Sequence, residues 1–135
     1  MKKLLLGESG VLVSQLALGT WTFAGDAIWS ESSENESIRV IDAAIDAGVT
    51  LFDSSPNYGD GRSESILGKA VGNRESIMVS TKCKVDGLSR NEIVGIVENS
   101  LRRLQRESID IMQIHWPTGN YGIYSSSVRS VNRAV

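Results

Sequence analysis

The sequence contains too little cysteine and too little excess charge for several classes of protein. Its 135 residues include one Cys and one His, so we expect neither an internal disulfide nor a metal site built from cysteines. The 14 Lys and Arg residues nearly balance the 16 Asp and Glu residues, whereas nucleic acids and anionic membranes are bound by concentrated positive charge. We therefore expect no bound metal, no nucleic-acid partner and no membrane partner.

Long apolar runs are also missing. The apolar run after Lys2 and Lys3 ends at Gly7, so it is shorter than the apolar core of a signal peptide. No stretch approaches the ~18 apolar residues that a membrane-spanning helix needs. At this length we expect one domain, located in the cytoplasm.

Patterns typical of strands and helices alternate along the chain. Two capping boxes, Ser33 with Glu36 and Ser89 with Glu92, each precede apolar residues at helical spacing. A shorter helix is predicted to begin at Ser63. Residues 3–13 indicate a β-hairpin, residues 22–32 a loop, and residues 49–52, 77–81 and 109–114 strands.

This alternation repeats at intervals of about 30 residues, which is typical of βαβ units. We therefore predict an α/β fold with a parallel sheet. Periodicity alone does not distinguish an open sheet from part of a closed barrel.

Polar residues stand where the predicted strands end. Asp53, Lys82 and His115 close successive strands, and Tyr58 follows Asp53 in the next loop. The carboxyl ends of parallel strands meet at one edge, where ligands bind in open sheets and barrels alike. We expect these four side chains to lie together at that edge.

Together these groups suit the protonation of a carbonyl oxygen. A phenol is a weak acid, with an ordinary pKa of about 10, and a nearby ammonium favours its ionised form. A carboxylate orients the ammonium, and an imidazole can hydrogen-bond a substrate oxygen. Each residue alone also has a structural interpretation, such as a loop cap for Asp53 or a solvated strand end for Lys82. Composition and spacing leave the two interpretations about equally open.

Two weaker motifs have structural explanations. The glycine-rich run that begins at Gly59 resembles a dinucleotide fingerprint, but Glu64 stands where the third glycine belongs. We interpret the run as a turn into the helix at Ser63. Cys83 has no second cysteine nearby, so we interpret it as a packing residue.

The same residues also carry a family resemblance. The motif LFDSSPNYG at residues 51–59, STK at residues 80–82 and IHWP at residues 114–117 resemble signature segments of the aldo-keto reductases. LGTW at residues 18–21 resembles the first strand and the following loop of that family. The resemblance covers residues 1–122.

The resemblance implies a (β/α)8 TIM barrel, here only its N-terminal hairpin and about four βα units. It implies NADPH as the hydride donor, Tyr58 as general acid, Lys82 and Asp53 as its assistants, and His115 as the residue that orients the carbonyl. The residues it places beside the nicotinamide are Gly19, Thr20, Trp21 and Asp53.

The sequence departs from the family in length, since family members are more than twice as long and their second half supplies most of the cofactor site. We expect residues 1–122 to form half a barrel and residues 123–135 a divergent tail, as in a truncated or frame-shifted product or half of an assembly. Exposed sheet edges would then favour self-association.

The expected function is NADPH-dependent reduction of an aldehyde or ketone. The alternatives are a catalytically inactive fragment, a non-enzymatic interaction subunit of the same fold, and an open-sheet nucleotide binder.

Overall fold

The computed structural model describes residues 1–29 and 33–116, which form a parallel sheet covered by helices on one face. The strands are β1 Lys3–Leu5, β2 Leu12–Ser14, β3 Ala17–Gly19, β4 Leu51–Asp53, β5 Met78–Cys83 and β6 Ile111–Ile114. The helices are α1 Glu34–Asp46, α2 Arg62–Val71 and α3 Arg90–Leu104, and a 3-10 turn covers Trp21–Phe23. The predicted α/β architecture is confirmed. The boundary at residue 122 and the divergent tail lie outside the described residues.

The four strands β3, β4, β5 and β6 pair in sequence order, and every pair is parallel. Each connection therefore leads to the next strand in the same direction across the sheet. Because such βαβ connections are right-handed as a rule, all connecting helices lie on the same face of the sheet. Strands β1 and β2 form a separate antiparallel hairpin. In this part of the chain β3 and β6 are the outer strands of the sheet. Self-association through these edges stays a prediction.

The core lies between the sheet and the helices. Alternate strand residues such as Phe52 and Val79 point towards the helices and are fully buried. They pack against Ile41 of α1, Leu67 of α2 and Leu104 of α3. The opposite face of the sheet carries polar side chains, among them Asp53, Ser80 and Lys82, so apolar packing and these polar groups use separate faces.

Both predicted capping boxes are present. The Ser33 hydroxyl accepts a bond from the Glu36 amide at 3.2 Å, and the Glu36 carboxylate accepts from the Ser33 amide at 3.1 Å. Ser89 and Glu92 repeat the arrangement at α3. These caps satisfy free amides of the first turn, which explains where α1 and α3 begin.

Helix α2 begins differently from the sequence prediction. Gly61, with φ of 84°, turns the chain into the helix, and no side chain caps it. The Ser63 hydroxyl instead donates to Thr20 at 2.7 Å. The predicted start at Ser63 is therefore one residue late, because the left-handed Gly61 already turns the chain into the helix at Arg62.

A buried ion pair connects α2 to α3. Glu64 is fully buried; it accepts a bond from Arg103 Nε at 2.7 Å and another from the Thr81 hydroxyl at 2.6 Å. Burying a carboxylate is costly unless it is paired and hydrogen-bonded in this way. Glu64 therefore joins two helices and β5.

The interpretation of the glycine-rich run as a turn is confirmed, since residues 59–61 form the turn that leads into α2. Among the described residues, no helix combines the length and the hydropathy of a membrane span.

Two helical glycines offer a matched test of the α2–α3 contact. A Cβ at Gly68 would collide with backbone atoms of Arg103 and Leu104, whereas a Cβ at Gly95 would meet nothing within 4 Å. We expect Gly68→Ala to lower the free energy of unfolding by about 1–3 kcal/mol through overpacking. We expect Gly95→Ala to raise it by about 0.5–1 kcal/mol, because alanine restricts the unfolded chain. Urea denaturation measures both, and equal effects of the two variants would contradict the close helix contact.

Candidate functional site

The structure brings the four candidate side chains together at the carboxyl edge of the sheet. Asp53 is the last residue of β4, Lys82 lies one residue before the end of β5, and His115 directly follows β6. Tyr58 lies in the loop between β4 and α2. The predicted convergence is confirmed, although β5 continues one residue beyond Lys82.

The Lys82 ammonium is the centre of the group. Its Nζ donates to Asp53 Oδ2 at 2.6 Å and to the Ser54 carbonyl at 2.8 Å. The same atom lies 4.8 Å from the centroid of the Tyr58 ring. Only 13% of the Lys82 side chain is exposed, so solvent screens its charge weakly. The ammonium is therefore held against the phenol by charge-assisted hydrogen bonds.

The second oxygen of Asp53 is held by residues that the sequence analysis missed. Oδ1 accepts from the Ser80 hydroxyl and from Gln113 Nε2, each at 3.0 Å. Ser80 and Gln113 lie two residues before Lys82 and His115, so strand alternation places each pair on the same face. That spacing was the available signal. Both carboxylate oxygens are thereby fixed in direction.

His115 is oriented through Nδ1, which lies 3.1 Å from the Ser55 hydroxyl and 3.4 Å from Asn57 Nδ2. Both groups can donate to a neutral imidazole, and in the tautomer whose Nδ1 accepts from them the ring proton lies on Nε2. The ring stands edge-on to Tyr58, with centroids 5.9 Å apart. Burial lowers the pKa of His115, the Lys82 charge lowers it further, and the Asp53 charge opposes both effects.

The residues expected beside a nicotinamide fall into two groups. Thr20 is fully buried; its hydroxyl donates to the Asp53 carbonyl at 3.1 Å and lies 2.7 Å from the Ser63 hydroxyl. It therefore joins the ends of β3 and β4. Gly19 has open space beside its Cα, and Trp21 is partly exposed. Contact with a cofactor stays a prediction for all of them.

An aromatic cleft of about 290 Å³ opens beside these groups. The Trp21 ring stacks on Tyr58, and the His115 ring stacks on Trp116. A small cleft with apolar walls and a few directed polar groups is typical of small-molecule sites. Its lining residues are Trp21, Asp26, Asn57, Tyr58, His115 and Trp116.

Comparison with known proteins agrees with this arrangement. The family model described as "Aldo/keto reductase family" matches residues 15–126. The chain belongs to the aldo/keto reductase family. Aldo-keto reductase YhdN of Bacillus subtilis is 42% identical over an alignment of 123 residues, and the match covers 83% of this chain and 37% of that protein. A probable voltage-gated potassium channel subunit beta of Oryza sativa is 34% identical, over 94% of this chain and 40% of that protein.

Solved aldo-keto reductases share the fold. The thermostable aldo-keto reductase Tm1743 matches with a TM-score of 0.78 and 30% identity, over 99% of this chain and 51% of that one. An aldo-keto reductase from Klebsiella pneumoniae in complex with NADPH matches with a TM-score of 0.72 and 27% identity, over 93% of this chain and 43% of that one. The expectation of a partial (β/α)8 barrel is confirmed, and the chain spans 37% of YhdN and 51% of Tm1743.

The pKa of His115 can be measured directly, because it is the one histidine in the sequence. We expect its proton NMR signals to titrate with a midpoint below the ordinary value of 6.5. Lys82→Met should raise the midpoint by removing a repelling charge, and Asp53→Asn should lower it by removing an attracting one. A midpoint at or above 6.5, unchanged in both variants, would contradict the observed packing of the three groups.

Proposed function

We propose that this chain contains the carbonyl-reducing centre of an NADPH-dependent aldo/keto reductase that converts an aldehyde or ketone into an alcohol. The observation that carries the proposal is the Lys82 ammonium, which is bonded to Asp53 and lies over the Tyr58 ring. Family membership and NADPH-bound relatives of the same fold support it.

Tyr58 is the proton donor in this proposal. Its hydroxyl gives a proton to the carbonyl oxygen of the substrate as negative charge develops there. The Lys82 ammonium stabilises the phenolate that remains, and Asp53 keeps the ammonium in place. Because Ser80 and Gln113 hold Asp53 in turn, the charges need little rearrangement during the reaction.

His115 orients the substrate. In this role Nδ1 accepts from Ser55 and Asn57, which lie within 3.4 Å of it, and Nε2 carries the proton that bonds the carbonyl oxygen. Since the pKa of His115 is lowered, the imidazole stays neutral near pH 7 and acts as a hydrogen-bond donor without competing with Tyr58 for the role of acid.

NADPH, when bound, supplies a hydride to the carbonyl carbon. The residues present fit the nicotinamide end of that cofactor, because Gly19 leaves open space at the carboxyl edge and 31% of the Asp53 side chain is exposed there. Gly19, Trp21 and Asp53 would hold the nicotinamide end, while Thr20 would support it by fixing the ends of β3 and β4.

Tyr58→Phe tests the role of the hydroxyl. We expect kcat for reduction of an aldehyde to fall by about 10²- to 10⁴-fold, the usual contribution of general acid catalysis. The dissociation constant for NADPH, measured by tryptophan fluorescence, should stay unchanged because the ring remains. Asp42→Asn, an exposed change on α1, serves as the control. If the unaltered chain neither quenches with NADPH nor consumes it with an aldehyde, the proposal is wrong.

A non-enzymatic interaction subunit is the second candidate. The similarity to a probable voltage-gated potassium channel subunit beta favours it. In that case Tyr58→Phe should leave complex formation intact, since the hydroxyl has no part in such an interface. Co-purification with a partner, unaffected by Tyr58→Phe and without NADPH consumption, would favour this function over the reductase.

A further inference from the structure

Two tryptophans line the aromatic cleft, and the third packs against one of them. The sequence contains three Trp; Trp21 and Trp116 line the cleft, and Trp29 packs edge-on against Trp21 with ring centroids 6.0 Å apart. The Trp21 ring is nearly parallel to Tyr58, at 22°. The Trp21 ring, with Trp29 packed against it, is the first wall of the cleft. This wall lies directly beside the ring of Tyr58, the proposed proton donor.

The cleft has a second wall at right angles to the first. His115 and Trp116 are stacked at 7°, and the His115 ring is at 88° to Tyr58. A flat group that lies against Trp21 would present its edge to His115. This geometry suits a carbonyl conjugated with an aromatic ring, because ring and carbonyl then share one plane.

The half-buried carboxylate of Asp26 holds the first wall in place. Asp26 Oδ1 accepts from the backbone amides of Ile28 and Trp29, at 2.9 and 3.0 Å. Asp26 Oδ2 accepts from the indole Nε1 of Trp21 at 3.3 Å. A single side chain thus fixes the turn that carries Trp29 and the ring of Trp21. The bonds to Trp29 and Ile28 lower the pKa of Asp26 by favouring its charged form.

We propose that Asp26 is a positioning residue of the substrate cleft: it holds Trp21 and Trp29 as a wall that favours carbonyl substrates with a flat aromatic group over saturated ones of similar size. The substrate part rests on the function proposed above. Aromatic stacking beyond simple burial predicts a preference of about 2- to 12-fold from this wall.

Asp26→Asn separates the two roles of the carboxylate. The amide oxygen can still accept from the two backbone amides, which keeps the turn. The amide nitrogen then faces Trp21 Nε1, and two donors cannot bond each other. Trp21→Phe removes the same bond from the other side and keeps a ring in the wall. If Asp26 acts through Trp21, Asp26→Asn should add little in the Trp21→Phe background.

The indole NMR signals test the hydrogen bond between Asp26 and Trp21, and the test needs no enzymatic activity. The chain should show three indole Nε1–H cross-peaks, and Trp21→Phe identifies the one that belongs to Trp21. We expect Asp26→Asn to shift that cross-peak upfield and to increase its hydrogen exchange, as expected when a hydrogen bond is lost. Asp42→Asn should change none of the three. An unchanged Trp21 cross-peak in Asp26→Asn would overturn the proposal.

Paired substrates test the selectivity. We expect Asp26→Asn to lower the ratio of kcat/KM for benzaldehyde over cyclohexanecarbaldehyde by about 2- to 12-fold. The change should come through KM for benzaldehyde, with kcat nearly constant. An unchanged ratio, despite a shifted Trp21 cross-peak, would refute selection by the wall.

The two proposals can fail separately. If the unaltered chain reduces neither aldehyde, the proposed reductase function is wrong. The indole signals then still show whether Asp26 positions Trp21. Selectivity is then decided by titrating benzyl alcohol and cyclohexylmethanol against the same signals. Tighter binding of benzyl alcohol that Asp26→Asn abolishes supports the wall, and equal binding of the two alcohols refutes it.

Discussion

The ion pair between Lys82 and Asp53 is the interaction on which the site depends. Parallel pairing of β4 with β5 sets Asp53 beside Ser80, and the next residue on the same face of β5 is Lys82. This register brings the carboxylate within 2.6 Å of the ammonium. A shift of one residue would turn Lys82 towards the helices and away from Tyr58. The chemistry is therefore a consequence of strand pairing.

The surrounding structure makes that register rigid. On the helix side, the fully buried Glu64 pairs with Arg103 and accepts a hydrogen bond from Thr81 of β5, so β5 cannot move without removing a hydrogen bond from a buried carboxylate. At the strand ends, buried hydroxyls of Thr20 and Ser63 join β3 to the start of α2. Exposed loops supply the aromatic side chains, while rigid elements supply the charges. Such a division suits a site that must hold its charges still and admit a ligand.

Much of the fold was readable from local patterns. The capping boxes at Ser33 and Ser89 located α1 and α3, because the residues that satisfy a helix terminus lie within one turn of it. Strand bounds were less accurate: the strand predicted at residues 49–52 is Leu51–Asp53. Hydrophobicity marks Val49 as buried, but only pairing with a neighbouring strand decides where a strand begins.

The sequence by itself determined the fold class and the four candidate side chains, three at strand ends and Tyr58 in the loop after β4, because alternation and strand ends are local properties that repeat along the chain. Tertiary structure alone decided that Glu64 pairs with Arg103, that Gln113 and Ser80 hold Asp53, and that Asp26 bonds Trp21. Hydrogen-bond partners distant in sequence are chosen by distance and direction in the folded chain. No local pattern specifies that geometry, since a polar side chain at a given position can bond water equally well.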